Sequence, residues 1–392
     1  MWKLKVFCLS AFLIPFLLCT NPSKPEQTLL FRNWFTGQTT AENKPAFKIQ
    51  DIDSLALHFR KIAKTGSFSE TLTDSASVQY MIGYRTPDTL RQDTLYPLVI
   101  YLHGGTGTAL NNKGEKAFEM LLPLADSMQL FLASPSANRY SPWWSPSGLF
   151  RILQTLRFMT LHYPVNPEKV FLAGVSDGAA GCFAAANTIN GPFAGFIAIS
   201  GYGGILQAAG MQIFPGNIML RPVYNVNAGK DHLYPLRTVN RFLDYLEENG
   251  ANVIRKEYPD EKHGFDYRMQ EMGTIAGFLR TWSRPAFNSV SWHFVPGFPN
   301  LPPGIIDWKL KDETGKGFLN GYMVSDTFKI NSEGLRYAVL SLPASDKIFI
   351  QAGENPVKIG KEEKLNSQLI LQTIRSSCFP NPKLERVFKI SL

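Results

Sequence analysis

Cysteine is scarce in this sequence, since a chain of 392 residues contains only four. Cys8 and Cys19 lie in the apolar opening stretch, while Cys182 and Cys378 are far apart, and no Cys-x-x-Cys spacing occurs. A disulfide framework and a thiolate-bound zinc or redox centre are therefore not expected. Cys182 is predicted to be a small buried hydrophobic side chain.

The chain also lacks a cluster of arginine and lysine interleaved with aromatic residues, and it has no internal repeat or low-complexity tract. Its formal net charge is nevertheless +8. We interpret this charge as a solvated surface that favours anionic envelope polymers or lipid head groups, and we do not expect nucleic-acid binding. A hydrophobic content of 44% and a charged content of 18% are typical of a globular protein with room for two domains.

No apolar run is long enough to predict a membrane span, because Pro15 interrupts the opening one. Lys3 and Lys5 precede this short uncharged stretch, which ends near residue 19. That layout predicts an export signal over residues 1–19. We therefore expect a protein of the periplasm or cell envelope of a bacterium, or a secreted one.

Cys19 ends this stretch and is followed by a polar run, an arrangement that resembles a bacterial lipoprotein signal. The resemblance implies lipidation of Cys19 and anchoring to a membrane through the lipid. Leu18 stands where that family usually has a small residue, so ordinary signal cleavage a few residues away is the alternative.

Apolar runs of strand length recur through the central part of the chain and are separated by helix-length segments. Buried strands that alternate with helices predict a mostly parallel sheet with crossover helices, and hence an α/β fold. We place this domain at residues 76–284, after a linker and helical lead-in at residues 20–75 whose helical pattern covers residues 44–66. The strand-like runs lie at residues 78–84, 97–102, 130–133, 170–172, 193–199, 222–226 and 253–258.

The pattern changes after residue 284, where helical periodicity fades and turn signals separate short strand-like pieces. We predict a smaller β-rich domain over residues 285–392. Its strand-like pieces lie at residues 305–309, 321–330, 335–342, 347–350, 368–374 and 386–390.

Residues 170–181 read Val-Phe-Leu-Ala-Gly-Val-Ser-Asp-Gly-Ala-Ala-Gly, an apolar strand followed by Gly-x-Ser-x-Gly and small helix-forming residues. A tight strand-to-helix turn of this kind exposes a serine hydroxyl as a nucleophile, which makes Ser176 the candidate. Gly174 and Gly178 are expected because a Cβ atom at either position would collide with neighbouring backbone. The pentapeptide alone is a weak signal, and the flanking strand and helix strengthen it.

A serine nucleophile needs a general base and a group that orients the base. Asp231 and His263 each follow a predicted strand, so we expect both at the carboxyl edge of the sheet, where open α/β sheets place their sites. The chain order of serine, aspartate and histidine matches that of Gly-x-Ser-x-Gly hydrolases. Asp260 is the alternative orienting group, although an aspartate so close in the same loop is more often a solvated turn residue.

The loop at residues 103–108 reads His-Gly-Gly-Thr-Gly-Thr and follows a predicted strand. Its glycines let backbone N–H groups approach a substrate oxygen closely. We predict an oxyanion hole made of the amide of Gly104 or Gly105 and the amide of Asp177. His103 is expected to shape this loop, and His232 adjoins the proposed acid. The other histidines lie outside strand-end loops: His58, His162 and His293.

Four motifs in this order resemble those of the α/β-hydrolase superfamily. Within it, the chain is most similar to secreted carboxylesterases and predicted peptidases of the dienelactone-hydrolase, feruloyl-esterase and prolyl-oligopeptidase-like branches. The resemblance implies an α/β-hydrolase fold and a serine hydrolase that needs neither a metal nor an organic cofactor. The stretches that carry it are residues 103–105, 174–178, 229–231 and 262–265.

Specificity is less constrained by the sequence. Trp143 and Trp144 follow a predicted strand and are expected over the site, where either could stack on a sugar or an aromatic acyl group. The alternative is that one tryptophan only anchors its loop. The short segment between residues 199 and 222 leaves no room for a cap domain, which favours an open site and exposed or polymer-borne esters.

The leading hypothesis is an exported serine carboxylesterase that forms an acyl-enzyme on Ser176 and acts on a small-molecule or polymer-borne ester. The second is a prolyl-oligopeptidase-like serine peptidase, although no acidic pair that would grip a peptide amine is evident. The third is a catalytically silent surface-binding protein in which the β-rich domain recognises the partner, and the intact serine, aspartate and histidine argue against it. The natural ester and the oligomeric state stay open.

Overall fold

The computed structural model describes eight stretches of the chain. The predicted export signal and Cys19 lie outside them, so export and lipidation stay predictions. The described residues are 24–38, 51–61, 64–91, 93–312, 315–342, 349–352, 367–380 and 386–391.

The centre of the fold is an eight-stranded sheet with the strand order β1-β2-β4-β3-β5-β6-β7-β8. The pairs β1/β2 and β2/β4 are antiparallel, and every later pair is parallel. The strands are β1 (Ser67–Thr73), β2 (Gln79–Arg85), β3 (Tyr96–Leu102), β4 (Phe131–Pro135), β5 (Val165–Val175), β6 (Gly195–Ile199), β7 (Val223–Ala228) and β8 (Val253–Tyr258).

Helices cover both faces of this sheet, because its central strands are apolar on both sides. In β3, Leu98 and Ile100 point into one hydrophobic core while Val99 and Tyr101 point into the other. The predicted α/β-hydrolase fold, with a mostly parallel sheet flanked by helices, is confirmed. The first core contains side chains of α5 (Pro146–His162), α6 (Asp177–Thr188) and α9 (Leu236–Glu248), and the second those of α4 (Leu122–Met128) and α10 (Arg268–Thr281).

Short helices occupy the connections near the carboxyl edge of the sheet. Between β6 and β7 lie only α7 (Gly204–Ala208) and α8 (Pro215–Ile218), in agreement with the expected lack of a cap domain. Ahead of α4 lie α3 (Gly114–Ala117) and a 3-10 turn (Phe118–Leu121).

The chain after α10 forms two smaller sheets around a shared core that includes Trp292, Phe328 and Leu340. One has the order β10-β13-β15 and the other β14-β12-β11-β9. The strands are β9 (Ser289–Phe294), β10 (Ile305–Leu310), β11 (Gly317–Val324), β12 (Thr327–Glu333), β13 (Leu335–Leu342), β14 (Phe349–Ala352) and β15 (Arg386–Ser391). The predicted piece at 321–330 is thus parts of two strands, because a turn containing Ser325 at φ 54° separates them.

The predicted strand at 368–374 is wrong, since residues Ser367–Ser377 form a helix, α11. Ile370 and Ile374 are four residues apart and so lie on one helical face. Ile374 is buried in a core with α1 (Lys24–Thr36) and α2 (Ile52–Lys61), and Ile370 packs against that core. The predicted helical lead-in contains α2, whereas α1, β1 and β9 were not predicted.

Among the described helices, none combines the length and the apolar character required to cross a lipid bilayer.

Candidate functional site

The turn between β5 and α6 carries Ser176 in a backbone conformation that few residues other than glycine adopt, with φ 56° and ψ −119°. A Cβ atom at Gly174 would overlap the carbonyl of Gly178, and one at Gly178 would overlap the carbonyl of Leu102. The two glycines are therefore needed for the reason inferred from the sequence. The turn lies where β5 ends, so the serine side chain stands at the carboxyl edge of the sheet.

Three polar side chains from separate loops meet at this edge. His263 Nε2 lies 3.1 Å from Ser176 Oγ, and His263 Nδ1 lies 2.7 Å from Asp231 Oδ2. An ionised carboxylate only accepts hydrogen bonds, so Nδ1 donates to Asp231 and Nε2 is left to accept from the serine hydroxyl. The structure thus brings together the three residues singled out from the sequence.

Asp231 is 4% exposed and is held by its own turn. Its Oδ1 accepts from the amides of Leu233, at 2.8 Å, and Tyr234, at 2.9 Å. These bonds leave Oδ2 facing the histidine and stabilise the charged carboxylate in a buried position. Asp260 instead forms an exposed pair with Lys230, in agreement with its interpretation as a solvated turn residue.

Gly104 lies directly against the nucleophile, since a Cβ atom added there would be 3.0 Å from Ser176 Cβ. Within the described stretches, the amides of Gly104, Gly105 and Asp177 donate to no acceptor of the protein. They are therefore available to a substrate oxygen. Gly105 has φ 64°, a left-handed conformation that favours glycine.

His103 is part of the scaffold of this loop. Its Nδ1 donates to the carbonyl of Gly104 at 2.8 Å, and its Nε2 accepts from the amide of Ala137 at 3.0 Å. Burial lowers the pKa of His103 to about 4, so the ring is neutral near pH 7. A neutral imidazole whose two nitrogens are both occupied is unsuited to serve as the base.

Trp143 does not line an open surface, and its proposed stacking on substrate is wrong. It is 0% exposed, and its Nε1 donates to the carbonyl of His103 at 2.8 Å. Its ring packs edge-on to the His103 ring at 5.1 Å, so it anchors the loop at residues 103–108, here called the oxyanion loop, on the side that faces the core. Trp144 is half-buried and packs against the hydrophobic core that contains side chains of α5.

The sequence reasoning placed the amide of Asp177 in the site but missed the role of its carboxylate and of Tyr234. The Asp177 carboxylate accepts from the amide and hydroxyl of Thr106, at 2.7 and 2.8 Å, and from the hydroxyl of Tyr234 at 3.1 Å. The Tyr234 ring lies 5.6 Å from the His263 ring. No local pattern reveals contacts between residues so distant in the chain.

A cleft of about 300 Å³ lies near the nucleophile turn and the histidine loop, and neither Ser176 nor His263 is among its lining residues. Its lining is largely apolar and includes residues that directly neighbour Ser176 and His263 in the chain. The lining residues are Met120, Val175, Gly264, Phe265, Asp266, Tyr267 and Arg268.

Elsewhere, Cys182 and Cys378 are buried free thiols, in agreement with the prediction for Cys182. In the described part of the chain, no group of three histidine, cysteine, aspartate or glutamate side chains is arranged to hold a metal ion.

A family model described as phospholipase/carboxylesterase matches residues 150–283, a stretch that contains Ser176, Asp231 and His263. This match confirms the resemblance seen in the motifs to serine hydrolases of the α/β-hydrolase superfamily. No curated protein matches the chain by sequence.

Several solved structures match part of this chain. A thermostable esterase is 21% identical with a TM-score of 0.45, and the match covers 56% of this chain and 63% of the esterase. An acylaminoacyl peptidase of Pyrococcus horikoshii is 14% identical with a TM-score of 0.45, over 59% of this chain and 44% of the peptidase. For the S-formylglutathione hydrolase of Staphylococcus aureus the identity is 14% and the TM-score 0.44, over 55% of this chain and 99% of that one. This chain therefore spans less than two thirds of the length of the first two proteins.

Proposed function

We propose that this chain is an exported serine hydrolase that cleaves carboxylic esters through an acyl-enzyme on Ser176. The observation that supports the proposal most is the pair of contacts made by His263, 3.1 Å to Ser176 Oγ and 2.7 Å to Asp231 Oδ2. One imidazole in contact with both a hydroxyl and a buried carboxylate is the arrangement that activates a serine at neutral pH.

In the first half of the reaction, Ser176 Oγ attacks the ester carbonyl carbon while its proton passes to His263 Nε2. The oxyanion that forms is stabilised by the free amides of Asp177 and of Gly104 or Gly105. The tetrahedral intermediate then collapses and releases the alcohol, which takes the proton from His263. Asp231 stabilises the imidazolium throughout, because the carboxylate faces Nδ1.

In the second half, water attacks the acyl-enzyme with His263 again acting as base. The carboxylic acid leaves, and the proton returns to Ser176 Oγ. Apart from the substrate and this water molecule, these steps use only groups that the chain itself supplies.

An ester rather than a peptide is proposed as substrate because the family model that matches residues 150–283 is described as phospholipase/carboxylesterase. In the cleft near the site, the charged residues Asp266 and Arg268 pair with each other at 2.7 Å. The connection between β6 and β7, which the structure describes in full, inserts no cap domain, and this suits an exposed or polymer-borne ester.

A fluorophosphonate probe tests the hydrolase proposal. We expect covalent labelling of the folded protein and complete loss of labelling in Ser176→Ala. Parallel assays with p-nitrophenyl esters and aminoacyl amides then separate esterase from peptidase. Absence of labelling in folded wild-type protein would instead support the silent surface-binding alternative.

Export and lipidation at Cys19 form a separate part of the proposal, which rests on the sequence alone. Expression of the full chain in a bacterium, followed by fractionation and labelling with a radioactive fatty acid, tests both. We expect export in the wild type and in Cys19→Ala, and label only in the wild type. Export without label would leave ordinary signal cleavage as the explanation.

A further inference from the structure

The peptide group between Gly105 and Thr106 is held at both ends by charged side chains. Its carbonyl accepts from the ammonium of Lys113, and its N–H donates to Asp177 Oδ2 at 2.7 Å. Hydrogen bonds to charged partners are roughly twice as strong as those between neutral groups. A rotation of this peptide would break both bonds at once, so its orientation is fixed.

The same carboxylate reaches two further groups. Asp177 Oδ2 also accepts from the Thr106 hydroxyl at 2.8 Å, and Asp177 Oδ1 accepts from the Tyr234 hydroxyl at 3.1 Å. Burial, and after it the charge of Asp177, raises the pKa of the Tyr234 phenol, so this hydroxyl stays protonated and donates.

Tyr234 connects this carboxylate to the rest of the site. Its amide donates to Asp231 Oδ1 at 2.9 Å, and its ring packs beside the His263 ring. Asp177 therefore joins the oxyanion loop, the nucleophile turn and the loop that carries the acid. These three segments come from different parts of the chain and share no backbone connection at the site.

We propose that the Asp177 carboxylate is a positioning residue that clamps the oxyanion loop, fixing the Gly105–Thr106 peptide so that the amides of Gly104 and Gly105 face the reacting oxygen. The Thr106 amide donates to Asp177 and therefore does not contribute to the oxyanion hole. The part of this inference that concerns catalysis rests on the proposed function, whereas the clamp itself does not.

The sign of the effect separates positioning from simple electrostatics. A negative charge next to the nucleophile opposes the developing oxyanion, so a residue that acted through its charge alone would lower the rate. Removing the charge would then leave the rate unchanged or increase it. A clamp predicts the opposite order of rates, with wild type fastest, Asp177→Asn intermediate and Asp177→Ala slowest. Asparagine keeps an acceptor oxygen but loses the charge, whereas alanine loses both.

The experiment combines ester kinetics with hydrogen exchange. We expect Asp177→Ala to lower kcat/KM by about 100-fold, mostly through kcat, because a displaced oxyanion donor is lost only in the transition state. Exchange of the backbone amides in the peptide covering residues 103–108 should become faster in Asp177→Ala. The matched control is Asp260→Ala, at an exposed carboxylate outside the clamp, for which we expect less than about a twofold change.

Two milder variants guard against failure of Asp177→Ala to fold. Thr106→Val and Tyr234→Phe each delete one hydroxyl bond to Asp177 and keep the shape of the side chain. Both should show faster exchange at residues 103–108 and a smaller loss of kcat. Wild-type kinetics and exchange in these variants, or an Asp177→Asn enzyme as fast as wild type, would overturn the proposal. If the wild type hydrolyses no ester, the proposed function fails, and the exchange rates alone decide the clamp.

Discussion

At the scale of single residues, the site depends on which groups are buried with partners and which are exposed. Asp231 and Asp260 are the two candidates for the group that orients His263, and they differ in their surroundings. Asp231 is buried with two backbone donors and His263, whereas the side chain of Asp260 is 93% exposed. Only the first can hold the imidazole in one tautomer and stabilise its charged form.

The exchange of Asp231 for asparagine tests this distinction. An amide in its place keeps the shape but no longer stabilises the imidazolium, so we expect Asp231→Asn to lower kcat by roughly 10³- to 10⁴-fold. Asp260→Asn should change kcat by less than about twofold. Steady-state hydrolysis of a p-nitrophenyl ester measures both. A similar loss in the two variants would contradict the assignment of the acid.

His103 predicts a pH dependence of stability. Its pKa of about 4 lies below the usual 6.5, so between these values the unfolded chain binds a proton more readily than the folded one. The stabilisation that its neutral ring contributes is complete above pH 6.5 and is lost as the pH falls through 4.

The measurement is the free energy of unfolding of wild type and His103→Gln by urea at several pH values. The difference between them should shrink by at most about 1.4 kcal/mol per pH unit between pH 6.5 and 4. A difference that stays constant over this range would show that His103 does not titrate as its burial requires.

At the scale of elements, the nucleophile turn works because α6 crosses β3 and β5 at backbone contact distance. Gly178 packs on the carbonyl of Leu102, and Gly174 packs on Gly178 itself. Side-chain atoms at either position would push the helix off the sheet and move Ser176 away from His263.

Two glycine substitutions in helices separate this effect from ordinary helix propensity. Gly178→Ala should destabilise the fold by about 1–3 kcal/mol and abolish most hydrolysis, because its methyl group overlaps backbone that cannot move freely. Gly277→Ala in α10 has nothing within 4 Å of the added atom and should stabilise the helix by about 0.5–1 kcal/mol. Chemical denaturation measures both values, and equal effects of the two variants would refute the crossing argument.

At the scale of the whole molecule, the large sheet and the smaller sheets are joined through α8. Asn217, fully buried in this helix, donates to the carbonyl of His293 at 2.8 Å and accepts from its amide at 2.7 Å. The His293 ring also stacks on Phe214 at 4.5 Å. Asn217 thus makes the two hydrogen bonds to the backbone of β9 that a neighbouring strand would otherwise make.

Asn217→Ala should leave the amide and carbonyl of His293 without partners. Each buried polar group left unsatisfied costs about 1–3 kcal/mol, so we expect a lower melting temperature and faster hydrogen exchange in β9. Hydrogen exchange in β5 should change much less, because β9 is the strand that loses its hydrogen bonds to Asn217. Unchanged exchange in β9 would show that the contact does not hold the edge.

The sequence by itself determined the features that depend on near neighbours. Strands with buried runs, the strand-turn-helix around Ser176 and the glycines it needs all follow from local sterics and periodicity. The order of serine, aspartate and histidine at strand ends then predicted a common edge of the sheet.

Only the tertiary structure decided what depends on distant contacts. Residues 368–374 form a helix because Ile374 is buried against α1 and α2, and a short apolar run cannot by itself distinguish helix from strand. Trp143 is buried beneath His103, and Asp177 meets Thr106 and Tyr234, because packing brings together side chains that no local pattern connects. Hydrophobic periodicity indicates which side of a helix or strand faces the core. Which residues that side contacts depends on how the helices and strands pack.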